Sequence, residues 1–430
     1  MPVNMASVNF FIRPYVESRD AREVDEVEKA CEAGPGSSTS LFTDLLGDPL
    51  CRVRHFPAYA MLVAEVQTSD GLKIAGMIRA GIKKVLGCGN GDAHLAQQNE
   101  AIANAGVANA EAFLPVAYIL GLRVAPDYRR LGIGAALVLK MEAWCKKNGA
   151  MYTYIATEKD NEASVKLFTE KLGYSKFRTP AILVQPVYAS YKKAKSGVKI
   201  VELPVDKAEA LYRDIFRDRE FFPSDVDAII KSKLHRGTWI AVWKDEVKHV
   251  KGEKKQVVSI TDSDSSDEEE SPIALSSSWA VLSIWKCHEI FKLQVKGAPL
   301  HTRLAVTAAR LLGKLLRKLG TIPTPPNVFK PFGLELLYGL HCHGDRGGEL
   351  VSELCWFAHN LAKKEGCAVL ATEMGSCDPM RSWVPHWQSL SCDEDLWCIK
   401  HLCPSSTPEE GKDWCSSASP SSLFVDPRDF

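Results

Sequence analysis

The sequence predicts an α/β chain of the α+β kind, built as two similar lobes in tandem. Each lobe is a mixed central sheet flanked by helices, and the second is degenerate. Three observations carry this. An apolar run over 113–122 passes through a turn into an amphipathic helix ending near Asn148, and a comparable succession returns over 334–361. Lys146-Lys147-Asn148-Gly149 leading to Ala156-Thr157-Glu158 has a counterpart in Lys363-Lys364-Glu365-Gly366 leading to Ala371-Thr372-Glu373, an internal repeat of a helix end running into a strand. The chain has 430 residues, more than one ordinary core holds.

Taken in order, 9–16 reads as a first strand and 18–32 as a helix with Ala21, Val24, Val27 and Ala30 or Cys31 inward, stopped by Gly34-Pro35-Gly36. A short helix over 40–46 follows. Residues 59–66 and 72–85 are two strands joined at Ser69-Asp70-Gly71, a hairpin by composition. The Gly-, Asn- and Ala-rich stretch 86–112 is an insert. Then come the strand into Pro126, which cannot donate to a ladder, and a helix from about Gly134 with Leu137, Met141, Trp144 and Cys145 inward and Lys140, Glu142, Lys146 and Lys147 outward. A strand at 151–158 and a helix capped by Asn161 follow, and 181–186 closes the first lobe, given as 8–191.

The polar joint 192–197 leads to a second lobe, 198–403, in which strand, helix and strand recur at 198–203, 207–216 and 238–243. Its insert, 249–278, is acidic and cannot bury enough apolar surface to fold. Within it, Val257 to Glu270 reads either as a solvated loop of the second lobe or as a partner-binding motif, a short β-forming stretch beside phosphorylatable serines. A basic-faced helix spans 302–319, and 404–430, Ser- and Pro-rich, reads as a mobile tail.

Lys plus Arg and Asp plus Glu number 53 each, so no overall field draws the chain to nucleic acid or an anionic membrane. No apolar run reaches ~18 residues and the N-terminus has no signal-peptide layout, which places the expected protein in the nucleus, the cytoplasm or both. The 13 cysteines are odd in number and lack paired short spacings, as free thiols would. Cys392, Cys398 and Cys403 with His401, or His341 with His343, are the sets to weigh as zinc ligands, but no CxxC pair anchors either, and no metal is expected.

The chemistry concentrates in Arg129-Arg130-Leu131-Gly132-Ile133-Gly134. Two glycines stand where the first helical N–H groups lack internal partners, so an anionic group can approach the backbone, with the helix dipole and two arginines favouring its charge. A pyrophosphate-bearing cofactor is implied. A Walker loop would require Lys-Ser/Thr where Ala135-Ala136 stand, and a dinucleotide fingerprint would require a third glycine where Leu137 stands.

The remaining match, Arg-x-x-Gly-x-Gly at Arg129, Gly132 and Gly134, resembles the coenzyme A loop of the GNAT acetyltransferases. Residues 160–174, DNEASVKLFTEKLGY, resemble that family's second cofactor segment. The wording of RVAPDYRRLGIG, of 154–189 and of 221–242 is similar to the plant hookless-type probable N-acetyltransferases. The resemblance implies acetyl-CoA as cofactor, held by Leu122, Val124, Arg129, Arg130, Leu131, Gly132, Ile133, Gly134, Ala135, Asn161, Ser164 and Phe168. It also implies transfer to a protein or peptide amine, histone lysine among the targets, in plant growth and hormone-response regulation. Glu158 and Glu65 are candidate bases and Tyr174 a candidate acid, since Phe168 stands where many relatives carry the acidic Tyr; Glu111 is a further base to weigh. The alternative is a catalytically weak, cofactor-binding regulatory protein.

Overall fold

The computed structural model describes residues 9–31, 40–69, 71–87, 113–188, 190–246, 277–299, 326–403 and 414–430. The partner motif 257–270, Glu111 and the helix expected at 302–319 lie outside the described residues.

The first half contributes β1 (Phe10–Pro14), α1 (Glu17–Ala30), β2 (Ser40–Asp44), β3 (Ala58–Thr68), β4 (Gly71–Leu86), β5 (Phe113–Val124), α2 (Ile133–Lys147), β6 (Tyr152–Glu158), α3 (Glu162–Lys166), β7 (Ser175–Arg178) and β8 (Pro180–Pro186). The second half gives β9 (Val198–Leu203), α4 (Val205–Ile215), α5 (Val226–Ile230), β10 (His235–Trp243), β11 (Trp279–Trp285), β12 (Lys292–Lys296), β13 (Leu334–His343), α6 (Gly347–Lys364), β14 (Val369–Gly375) and β15 (Asp395–His401). These form a seven-stranded sheet ordered β1-β3-β4-β5-β6-β15-β7 and a six-stranded sheet ordered β8-β14-β13-β11-β10-β9, each a mixed sheet with one parallel pair, β5–β6 and β13–β14.

The two lobes exchange strands. β8, expected to close the first lobe, pairs with β14 of the second along seven residues, from Val369↔Pro186 to Gly375↔Pro180. In return β15 enters the first sheet between β6 and β7. The alternation of a strand fixes which side chains share a face, but not which sheet receives it, so the partition at 191/198 describes the chain order and not the sheets.

Two further expectations change. Residues 40–44 are a strand, not a helix, pairing with β12 from Leu41↔Val295 to Asp44↔Lys292. Pairing across the lobes overrides local propensity there. Of the expected mobile tail, 414–430 is packed: Trp414, Leu423, Phe424 and Val425 are buried between the facing sheets, while 404–413 lie outside the described residues.

Five core clusters result among the described residues, one of them formed where α1 packs through Val24 and Val27 on Met61, Val63 and Met77 of the first sheet. α2 covers one face of the first sheet through Ile133, Leu137, Met141 and Cys145, and α6 covers the outer face of the second through Leu350, Leu354 and Ala358. The other two faces look inward. Tyr118, Leu120, Tyr154 and Trp397 of the first sheet, and Leu336 and Tyr338 of the second beneath α4 and α5, pack on the C-terminal segment. Glu142, expected on the solvent face of α2, is buried and paired with Lys400 of β15 at 2.7 Å, a consequence of the inserted strand.

Candidate active site

β5 and β6 run parallel and bonded only at Val116↔Tyr152, Ala117↔Thr153 and Tyr118↔Tyr154. Beyond Tyr118 they part. From Ile119 to Val124 the β5 edge facing the gap has no strand partner there, leaving backbone groups available to a ligand. The parting has a local cause. The β4–β5 register slips between Met77↔Arg123 and Arg79↔Leu120, so Gly121 and Leu122 together oppose Ile78. Gly121 takes φ 61° and lies against the Arg79 guanidinium, where any side chain would land. Arg79 is itself fixed, donating to Glu28 Oε2 at 3.0 Å and to the Pro49 carbonyl at 2.5 Å.

At the end of β5 the chain turns through Pro126–Tyr128 into α2. Arg130 (φ 65°) and Gly132 (φ 84°) are both left-handed, and no side chain caps the helix. The first N–H groups of α2 are therefore left for another acceptor. A Cβ built on Gly132 meets nothing within 4 Å, so the approach is open. Arg129, Arg130 and Leu131 are exposed, and Arg129 Nε donates to the Val124 carbonyl at 3.1 Å, tethering the guanidinium over the turn. Ile133 is buried and pins the turn to the core. Uncapped amides, two arginines and open space fit the pyrophosphate of a coenzyme A-type ligand, whose thioester end would follow the gap between β5 and β6.

The second segment expected to hold the cofactor lies beside the first. Asn161 Oδ1 accepts from the Ser164 N–H at 3.2 Å and so caps α3, which runs on as one wider turn over Leu167–Lys171. Leu167 reaches α2, 3.8 Å from where a Gly134 Cβ would be, and Ala135, Leu122 and Val124 pack on the same core. Phe168 is buried, edge-on to Tyr174 at 5.1 Å.

The candidate acid–base residues separate. Glu65, on β3, has its carboxylate taken by Arg13 and by Arg19 at 3.6 Å, in a cluster with Asp20. Tyr174 lies under α2 beside Glu142, nine residues or roughly 13 Å along that helix from Ile133, and burial first and Glu142 second push its phenol well up. Neither faces the gap. Glu158 ends β6 at the mouth of the gap and is exposed. The residue missed by sequence is Asp395. It lies opposite Glu158 in register through β15, and burial followed by the Glu158 charge raises its carboxyl to about 6. No local signal marks it, because the pairing spans more than two hundred residues.

The second lobe keeps the frame without the opening. Gly339 (φ 60°) repeats the bulge of Gly121 against the Tyr212 hydroxyl, and β13 parts from β14 after Leu337↔Thr372. At the start of α6, however, a side chain on Gly348 would overlap the Trp383 indole and one on Gly344 the Ser277 carbonyl, while Arg346 stacks on Trp243 and pairs with Asp245 and Glu246 at 3.1 and 3.0 Å. Those contacts fill the place where an anion would sit, and Asp345 adds an opposing charge. Among the described residues, the side chains close enough to share a metal ion are His288, Glu335 and Cys367, none from the two sets weighed by sequence, and Glu335 Oε1 is held by Arg236 at 2.6 Å.

Comparison with known proteins agrees with this frame. The acetyltransferase (GNAT) family model matches residues 48–174. The chain is 47% identical over 421 residues to Probable N-acetyltransferase HLS1 of Arabidopsis thaliana, covering 97% of this chain and 99% of that one. It is 37% identical over 399 residues to Acetyl transferase GW6a of Oryza sativa subsp. japonica, covering 91% and 83%. Among solved structures, Saccharomyces cerevisiae N-myristoyltransferase with bound myristoyl-CoA shares the fold at TM-score 0.50 and 10% identity, over 93% of this chain and 80% of that one. The chain therefore belongs to the hookless-type probable N-acetyltransferases of the GNAT superfamily.

Proposed function

We propose that the first lobe transfers an acetyl group from acetyl-CoA to an amine of a protein or peptide, histone lysine among the acceptors to test. The observation that carries this is the uncapped, arginine-flanked start of α2 standing at the end of a β5 strand that has parted from β6. Acetyl-CoA supplies an activated acyl thioester there. The chain holds its pyrophosphate with the 131–135 backbone and Arg129 and Arg130, and offers β5 backbone N–H groups along the gap to the carbonyl oxygen, where charge develops. The acceptor enters from the opposite face of the sheet, between the lobes.

One observation favours the regulatory alternative. Phe168 stands in the second cofactor segment without a hydroxyl, so the leaving thiolate receives no proton from that position. A thiolate leaves readily, and the loss slows transfer without preventing it. Incubating the full chain with labelled acetyl-CoA and histone, lysine-peptide and amino-terminal-peptide acceptors separates the two. Label in an acceptor supports the transferase, whereas binding of acetyl-CoA with no labelled acceptor supports the regulator.

A further inference from the structure

The far end of the chain supplies a carboxylate to the mouth of the gap. Asp395 opens β15 directly opposite Glu158 in antiparallel register, and opposed residues place their side chains on one face of a sheet. Alternation along the two strands makes this the face of Tyr154 and Trp397, turned away from α2 and toward the space between the lobes. Asp395 is buried, at 8% exposure, yet among the described residues no cation pairs with its carboxylate. Other carboxylates as deeply placed in this lobe have cations: Glu65 has Arg13, Glu28 has Arg79 and Arg123, and Glu142 has Lys400. A buried carboxylate with no counter-ion is costly unless a ligand brings one.

We propose that Asp395 is the general base of the acetyl transfer, and that Glu158 and Asp395 together receive the acceptor as a primary ammonium ion. This rests on the transferase reading above. The ammonium gives one proton to the Asp395 carboxylate, which passes it to solvent at exposed Glu158. The freed amine nitrogen forms a bond to the thioester carbonyl carbon, and the C–S bond breaks with its electron pair leaving on sulfur. The second amine proton ends on the thiolate, so the products are the amide and the free thiol.

The surrounding charges suit this role. β6 presents Glu158, and β14 presents Glu373, whose burial raises it to about 8 and keeps it protonated at neutral pH. On β7, Arg178 is held by Glu220 at 2.6 Å, and Lys176 stands opposite Cys398, whose side chain lies on the other face of the sheet. In the loop before β15, Glu394 pairs with Lys159 and Asp393 with Arg381, and in the C-terminal segment Asp429 is held by Lys83. β8 has no charged residue. Asp395, at about 6, is ionised at pH 7 and still near the pH at which it must accept a proton.

The test uses the full chain, a single-lysine peptide with a blocked N-terminus, and aniline, an amine that is uncharged at neutral pH. Asp395→Asn should leave acetyl-CoA affinity by calorimetry within twofold and aniline acetylation within tenfold, which shows that the site is intact. It should lower kcat/KM for the lysine peptide by about 10² to 10³. The wild-type profile should level off above pH 6, whereas the variant's rate should climb toward the amine's own pKa of ~10.4. Asp395→Glu should restore part of the rate, and Glu158→Gln should raise KM for the peptide more than it lowers kcat. Retention of the lysine rate within threefold in Asp395→Asn, with the wild-type profile, overturns the proposal and leaves the transferase reading standing. Wild-type protein that binds acetyl-CoA but acetylates neither amine overturns the reading, and the base assignment with it.

Discussion

The Lys83 ammonium on β4 lies 2.6 Å from each carboxylate oxygen of Asp429, the penultimate residue of the chain. Asp429 also accepts from the Tyr154 hydroxyl at 2.7 Å, and Asp426 reaches Lys83 at 3.2 Å. Although burial pushes Asp426 up, Arg428 and Lys83 outweigh it and hold its carboxyl below the usual range. Removing the cation leaves two buried carboxyl groups without it, which costs about 3–5 kcal/mol. Lys83→Met is therefore expected to lower unfolding free energy by that amount in urea titration. Loss under 1 kcal/mol shows the C-terminal segment to be loosely held.

Arg129→Glu is expected to weaken acetyl-CoA binding at least tenfold in calorimetry with an unchanged melting temperature, because the residue is exposed and its replacement sets an anion where the pyrophosphate belongs. Gly132→Asp should act in the same direction. It carries a further cost of roughly 1 kcal/mol, because its φ of 84° strains any side chain. Affinity unchanged in both variants removes the assignment of this turn.

Titration is expected to give one acetyl-CoA per chain. Trp383 and Ser277 fill the start of α6, so Asp345→Asn should relieve the opposing charge without creating a second site. A stoichiometry of two refutes the reading of the second lobe as closed.

Glu373 borders a cavity of about 20 Å³ with Tyr338, Gly339 and Phe424, room for one water. Burial first, then Asp395 and Asp429, raise it to about 8, with Trp397 and Lys83 opposing. An acid whose folded pKa exceeds its unfolded one holds more protons folded, so its contribution to stability falls as pH rises from about 4.5 to 8. Glu373→Gln should flatten the wild-type decline across that window, measured by denaturant unfolding at several pH values. An unaltered slope shows that Glu373 does not titrate there.

Much of the fold was legible because its signals are local. The hairpin of β3 and β4, the amphipathic α2 with its Asn148-Gly149 end and the Asn161 cap are set by residues within a turn or two of one another. The turn proposed to bind the cofactor is of the same kind: Gly132 and Gly134 give a backbone path that depends on little beyond its own six residues and the strand before it. Errors fell where a distant segment decides. Residues 40–44 became a strand because β12 lies beside them, and Glu142 was drawn inward by Lys400.

By itself, then, the sequence determined the two-lobe order, the open glycine turn proposed to bind the cofactor, and which lobe keeps that turn open. It could not determine where β8 and β15 go. A strand's period-two pattern is satisfied on any sheet that offers an apolar face, and the choice is made by packing between segments far apart in the chain. Only the tertiary structure decided that Asp395 stands beside Glu158, that Glu65 is occupied by arginines, and that residues 414–430 fill the space between the lobes. Each of these depends on a charge or surface contributed by the other half of the chain or by a neighbouring element, and no spacing along the sequence encodes that proximity.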